Sequence, residues 1–246
     1  FKSSRETFTR TKRDTNETKD YTIDALAYLA YGPYQPNRIK EYIIPQVSTF
    51  IVIIRIYENI QNICNDLLKT MYLFAEFGGL GAKSRNGFGG FRIKKASKIP
   101  EASDLRTALQ SPIKYYSSFC NKSAFWKIKS NPSSWHQALR NLAKIYIEAK
   151  WGIEGTHVIS KRQFITQPIS AKPEFGRELR LEHKSKPYFL HVKKIDNSEF
   201  EGSIILLPSI FHGNYKNHNK KLLSAIDAFN TKLDNMKSEL ERISLQ

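Results

Sequence analysis

Residues 48–58 read STFIVIIRIYE, a run dominated by β-branched and aromatic residues that predicts a strand. The period then changes. In NIQNICNDLLKTMYLFAEF, Ile60, Ile63, Cys64, Leu67, Leu68, Met71 and Phe74 recur at helical spacing. Asn59 is placed to cap this helix and Gly78 to end it. After a glycine-rich loop, GFRIKKAS alternates and predicts a second strand. Helices are predicted over residues 105–119 and 133–151. In the latter, Ser133 or Ser134 serves as cap, and Trp135, Leu139, Leu142, Ala143, Tyr146 and Ile147 mark the apolar face. SKPYFLHVKKID and EFEGSIILLPS predict a hairpin turning at Asp196-Asn197-Ser198. From about residue 216 to 243, Leu222, Leu223, Ile226, Phe229, Leu233, Met236, Leu240 and Ile243 form one apolar stripe. It predicts a long helix that packs into the core or binds a partner. Residues 1–20 are polar and rich in Thr, Lys and Arg, as in an edge strand or mobile arm, and YTIDALAYLAYGPYQPN closes in a Gly/Pro-punctuated loop. Residues 152–184 are basic and irregular. A strand–helix–strand theme occurs twice, with a boundary expected between residues 98 and 105.

Length and composition narrow the classes. The 246 residues make one large domain or two small ones. A hydrophobic content of 40%, with 15 Phe and 12 Tyr, excludes global disorder. Charge changes the picture most: 39 Lys and Arg face 23 Asp and Glu, a formal net charge of +16. Such a field favours a polyanion, whether nucleic acid, anionic membrane or acidic protein, over a merely basic solvated surface. No acid occurs over residues 77–100, nor over 105–147, which carries Arg106, Lys114, Lys122, Lys127, Lys129, Arg140 and Lys144, whereas the stretch after Asp227 is close to neutral. One basic face is therefore expected. Cys64 and Cys120 are the only cysteines and form no CxxC pair, so neither a zinc knuckle nor a disulfide framework is supported, and a reducing, cytoplasmic location is the default. Residues 1–246 show no signal-peptide pattern and no apolar run long enough to cross a bilayer, so no membrane partner is expected. The first residue is Phe rather than Met, and residues are expected to precede it.

The candidate chemistry lies in FAEFGGLGAKSRNGFGGFRIKK, residues 74–95. It holds six of the twelve glycines (Gly78, Gly79, Gly81, Gly87, Gly89 and Gly90), and Lys83, Arg85, Arg92, Lys94 and Lys95, with no acid after Glu76. Glycine admits positive φ and close backbone approach, and exposed amides in such a loop can make an anion nest. Phe88 and Phe91 either stack on bases or enter the core. A P-loop is rejected because Ala82, not Gly, precedes Lys83, and because the helix comes before the loop rather than after it. G-x-G-x-x-G fails too, since Ser84 stands at its last position. The plain alternative is a flexible connection. A second basic cluster, GRELRLEHKSKP over 176–187, has Arg177, Arg180, Lys184 and Lys186, and either holds phosphates or pairs internally with Glu178 and Glu182.

No catalytic set is evident. Asp66, Asp104, Asp196 and Asp227 fall on different elements, whereas a metal-dependent nuclease needs convergent carboxylates. His183 and His191 are candidate general acids or bases beside Lys184, Lys186 and Tyr188, with His191 more simply read as a satisfied structural histidine in a strand. His212 and His218 read as surface residues, His157 as a potential RNA contact, and none has metal-ligand spacing. No metal or cofactor is expected.

FGGLGAKSRNGFGGFRI resembles the glycine-rich loop of the RAMP superfamily of CRISPR-associated proteins. The form G-G-L-G-[AR]-[KR]-S-R-x-G-F-G is especially similar to the first RAMP subunit family of Cmr (type III-B) effector complexes. AYLAYG and SKPYFLHVKKIDNSEFEGSIILLPSIF extend the resemblance. That family normally begins with a strand and a helix rich in Trp and Arg, and nothing like it stands before Tyr21. The resemblance implies an α+β fold of two tandem ferredoxin-like (RRM-related) domains with helical insertions. The first would cover 1–100 and carry the glycine-rich loop. The second, over 101–246, would be divergent and carry the C-terminal helix. It further implies a subunit that binds and caps without hydrolysis, near the 3′ region of a guide RNA and its target RNA, beside other Cmr-type RAMP subunits. Together with the basic clusters, the expected RNA contacts are Gly78, Gly79, Gly81, Lys83, Ser84, Arg85, Gly87, Gly89 and Arg92, with Arg177, Arg180 and Lys184. The competing expectations are a RAMP-type endoribonuclease that processes guide RNA, and an adaptor working through its C-terminal helix.

Overall fold

Thr-rich, polar alternation at the N-terminus favours an edge hairpin. In the computed structural model, β1 (Arg5–Thr11) and β2 (Thr18–Asp24) form one, antiparallel from Arg5↔Asp24 to Thr11↔Thr18. The structure describes residues 5–11, 18–30, 34–35, 38–39, 51–55, 61–81, 84–93, 108–153, 165, 186–195, 198–211, 216 and 218–244. Asp24 ends β2 and caps α1 (Ala25–Ala30), its Oδ1 accepting from the Ala27 amide at 2.9 Å. The two-residue strands β3 (Tyr34–Gln35) and β4 (Arg38–Ile39) pair next, followed by α2 (Gln61–Phe77).

The rest of the described chain runs β5 (Ala124–Ile128), α3 (Trp135–Trp151), β6 (Tyr188–Lys194), β7 (Phe200–Leu206), α4 (Asn219–Asn235) and β8 (Leu240–Ile243). The sheet order is β6-β7-β5-β8 and every neighbouring pair is antiparallel. Each strand–helix–strand crossover skips one strand, so the order is that of a β-α-β-β-α-β unit. Along β6 the side chains alternate. Tyr188, Leu190 and Val192 enter the core with Leu139, Leu142 and Tyr146 of α3 and Ile226, Phe229 and Leu233 of α4. Ala25, Leu26 and Leu29 of α1 join the same cluster. The Tyr188 hydroxyl is satisfied at depth, its one proton within reach of both the Ile226 carbonyl at 3.1 Å and Asn230 Oδ1 at 2.8 Å. Asp234 ties α4 to the sheet, accepting from Trp126 Nε1 and from Arg242.

The other sheet face is covered. Phe125 of β5 is 5% exposed, with the Phe77 ring of α2 at 5.2 Å and the Phe119 ring stacked at 6.1 Å. Glu76 of α2 pairs with Lys193 of β6 at 2.5 Å, and Lys127 pairs with Glu201.

The chain is α+β, as expected. The hairpin of β6 and β7 and the helix capped by Ser134, whose Oγ accepts from the Gln137 amide, stand where the patterns put them. Four expectations are corrected. Of residues 48–58 only 51–55 are described. They carry no strand pairing and stand in solvent, Ile51 at 85% and Ile53 at 76% exposure. Of the strand expected over residues 90–97, only 90–93 are described, and they form no strand; Gly90 instead packs so closely on β6 that a Cβ there would lie 2.3 Å from the Val192 oxygen. Within 105–119, helix is found over 108–110 and gives way at Ser111, which precedes Pro112. The long C-terminal helix ends at Asn235. A turn, with the Leu240 amide donating to the Met236 carbonyl, delivers Leu240–Ile243 into the sheet as β8. The strand at Ala124–Ile128 was not anticipated. Among the described residues no helix is long and apolar enough to cross a membrane.

Candidate nucleic-acid interface

Helix α2 closes with the Gly78 amide on the Phe74 carbonyl at 2.8 Å, and the glycine loop begins there. Its neck is a hydrogen bond from the Leu80 amide to the Gly89 carbonyl at 2.9 Å. A Cβ on Gly89 would lie 1.8 Å from the Leu80 carbonyl oxygen, and one on Gly90 would lie 2.3 Å from the Val192 oxygen. At these two positions glycine is demanded by close approach. Gly81 differs: its φ is 85°, yet a Cβ there would meet nothing within 4 Å. It is exposed, in open space at the tip of the described loop.

The loop lies along the outer edge of β6. The Leu190 amide, which would otherwise be an unpaired edge donor, reaches the Arg85 carbonyl at 3.0 Å, and Asn86 bridges Leu190 in parallel. Arg85 is half-buried and tied into the protein. Its Nη1 donates to the Lys186 carbonyl at 2.7 Å, and its guanidinium lies 4.3 Å from the Phe189 ring centre. Burial pulls the Arg85 pKa below its ordinary value. Asn86 donates to the Leu29 carbonyl at 2.7 Å and accepts from Lys186 Nζ at 2.8 Å, while Lys186 sits over the Tyr146 ring at 4.3 Å. The pairs Arg85–Lys186 and Asn86–Lys186 thus join the loop, α1 and the start of β6.

Of the expected RNA contacts, Gly78, Gly79, Gly81, Ser84, Arg85, Gly87, Gly89 and Arg92 are brought onto this one loop. Gly81, Gly89 and Arg92 face solvent, and Gly87 is buried against Leu139. Lys83, Arg177, Arg180 and Lys184 lie outside the described residues, as does His183. Phe88 and Phe91 are not free stacking platforms: Phe88 meets Trp135 at 5.7 Å and Phe91 meets Phe74 at 5.2 Å.

His191 lies under the loop, 3% exposed. Burial lowers its pKa, opposed by a hydrogen bond with the Gly78 backbone and by the charge of Glu76, while Lys193 lowers it further. Among the described residues its Nε2 has no hydrogen-bond partner, so it is a structural strand histidine that is only partly satisfied. The sequence did not single out Asn86, though an Asn between Arg85 and Gly87 is a signal for a loop that bonds to backbone. Among the described residues no group of His, Cys, Asp and Glu is placed to hold a metal ion. No family model, curated protein or solved structure matches the chain.

Proposed function

We propose that the chain is an RNA-binding protein that works by holding a strand rather than by cutting it. More particularly, it is a structural subunit of a type III-B (Cmr) CRISPR RNA-guided effector complex, contacting the 3′ region of guide RNA, its target, or both, through a basic face and the glycine-rich loop. The observation that carries this reading is the loop itself. An acid-free, lysine- and arginine-bearing segment is anchored at Arg85, Asn86, Gly89 and Gly90, and presents Gly81 at positive φ with open space around it. Such a backbone can approach a phosphate closely. The net charge of +16 supplies the long-range attraction. The resemblance of G-G-L-G-A-K-S-R-N-G-F-G to the RAMP loop supports the particular assignment.

On this reading the sheet of β5 to β8 is the second of two tandem ferredoxin-like domains, and the first covers residues 1–100. RRM-type domains stack bases on exposed aromatics of the sheet. Here Phe125 is covered by Phe77 and Phe119, so contact falls to the loop edge instead. His191, the endoribonuclease candidate that is described, is buried and shielded, which supports the non-hydrolytic reading. The test is incubation of the purified protein with labelled single-stranded RNA, with and without Mg²⁺. Retention of intact RNA is expected. Specific cleavage that is lost in a His183→Ala or His191→Ala protein overturns the proposal in favour of the processing enzyme.

A further inference from the structure

A second feature lies away from the glycine loop. Residues 111–121 form a closed loop, with the Asn121 amide on the Ser111 carbonyl at 2.8 Å. The loop is fastened to the segment after β7 by the Ile210 amide on the Lys114 carbonyl at 2.9 Å. Asn219, at the start of α4, clamps Phe211 from both sides, its Oδ1 accepting from the Phe211 amide and its Nδ2 donating to the Phe211 carbonyl. Between these pieces is an open cavity of about 380 Å³ with Lys114, Tyr115, Tyr116, Phe211, Lys216 and Asn219 in its walls. That volume falls within the range of small-ligand sites.

Its chemistry points to one kind of occupant. Tyr115 is 64% and Tyr116 48% exposed, their rings crossing edge to face at 5.1 Å. Lys114 lies 5.5 Å from the Tyr116 ring centre, and Lys216 is exposed. Both stretches of chain that build the walls lack acids entirely: residues 105–147 and residues 202–226 contain no Asp or Glu. Exposed aromatic faces beside lysines, with no carboxylate in either segment, match a flat ring carrying a phosphate. An apolar peptide would have no use for the lysines, and a duplex does not expose a base face to the tyrosines. We infer that this cavity is a nucleotide subsite that takes one base and the adjacent phosphate of a single-stranded RNA. The base lies against Tyr115 or Tyr116, and Lys114 and Lys216 face the phosphate. This deepens the RNA-binding reading, rests on it, and adds a contact remote from the glycine loop in sequence.

The experiment uses the full chain, 4-thiouridine-substituted oligouridylate, unmodified oligouridylate and oligoadenylate, and free AMP. Ultraviolet crosslinking followed by peptide mapping is expected to place the thiouridine on residues 113–116. Tyr115→Ala/Tyr116→Ala is expected to weaken binding of both oligomers by at least about fivefold, the lower end of one base stack. Lys114→Ala/Lys216→Ala, which spares the rings, is expected to flatten the dependence of log K on log salt by about 0.7, the value for one phosphate. AMP is expected to bind far more weakly than either oligomer. RNA binding by the parent with no crosslink in 113–116 and no loss in either double variant overturns the subsite but leaves the RNA-binding reading standing. AMP binding without RNA binding, or no binding of either, overturns both.

Discussion

Two residues decide how far the glycine loop is part of the fold. Arg85 gives its guanidinium to the Lys186 carbonyl and to the Phe189 face, and its own carbonyl to Leu190. Its side chain is therefore an anchor. Arg85→Ala is expected to cost about 1.5–3 kcal/mol in urea unfolding, the range for a charge-assisted hydrogen bond to a partly buried partner. A loss under about 0.5 kcal/mol, as at an exposed site, would mean that the anchor is idle. His191 supplies a pH dependence. Burial holds its folded pKa below the unfolded value near 6.5, against the upward pull of the Gly78 backbone, Glu76 and Glu201 and with the downward push of Lys193. The unfolded chain then binds more protons than the folded one as pH falls through 6.5, so stability is full above that pH and declines below it. His218, lowered by burial and by Lys221, acts in the same direction. Melting curves at pH 7.5 and 5.5 are expected to show a lower Tm in acid, with a smaller gap in His191→Gln, which cannot take up the proton. An unchanged gap in that variant removes His191 as the cause.

At the scale of elements, the glycines of the loop separate into those that dock and one that is open. Gly81→Ala is expected to cost only the left-handed backbone penalty, about 1–2 kcal/mol, because nothing lies within 4 Å of the new methyl. Gly89→Ala carries the same penalty and a collision with the Leu80 carbonyl 1.8 Å away, so it should be clearly the more destabilising. Equal losses in denaturant titrations would show that the Leu80–Gly89 neck does not hold the loop. This division was not legible in the sequence, where all six glycines look alike, because it depends on which strand the loop meets. Legibility followed locality. Helix α3 and the β6–β7 hairpin could be read because cap, period and turn lie within a few residues of one another. The strand at Ala124–Ile128 is five residues long, and β8 is four residues attached to a helix whose apolar stripe runs on through Leu240 and Ile243. Both exist because β5 pairs with β7 on one side and with β8 on the other, a non-local condition that no pattern within the segment records. Of the candidate site, the cluster of glycine and basic residues was visible from composition. Packing of Phe88 and Phe91 into the protein was one of the two readings the sequence offered, whereas the commitment of Arg85 was not visible.

At the scale of the whole molecule, the question is what +16 acts on. A merely basic surface attracts any polyanion diffusely, and no small set of residues then controls the salt dependence. An organised RNA site concentrates it. Arg92 is exposed beside the docked part of the loop, and Lys83 lies between Gly81 and Ser84 in sequence, so these two, rather than the anchored Arg85, are the cations to remove. For single strands log K falls with log salt at about 0.7 per phosphate neutralised. Lys83→Ala/Arg92→Ala is therefore expected to flatten the slope by about 1.4, with affinity dropping most at low salt. The drop should be alike for oligouridylate, oligoadenylate and mixed sequences, because phosphate contacts carry no base identity. Pairing these residues with the tyrosine cavity tests whether the molecule grips one strand at two places. If both sites engage the same RNA, the loss in the combined variant exceeds that of either alone on long oligomers. On oligomers too short to span the two sites, one of the two substitutions becomes silent. RNA titrations at several salt concentrations and two RNA lengths read this directly, with matched thermal melts as the control for folding. An unaltered slope in Lys83→Ala/Arg92→Ala would return the glycine loop to the role its hydrogen bonds already give it, a cover for the edge of β6.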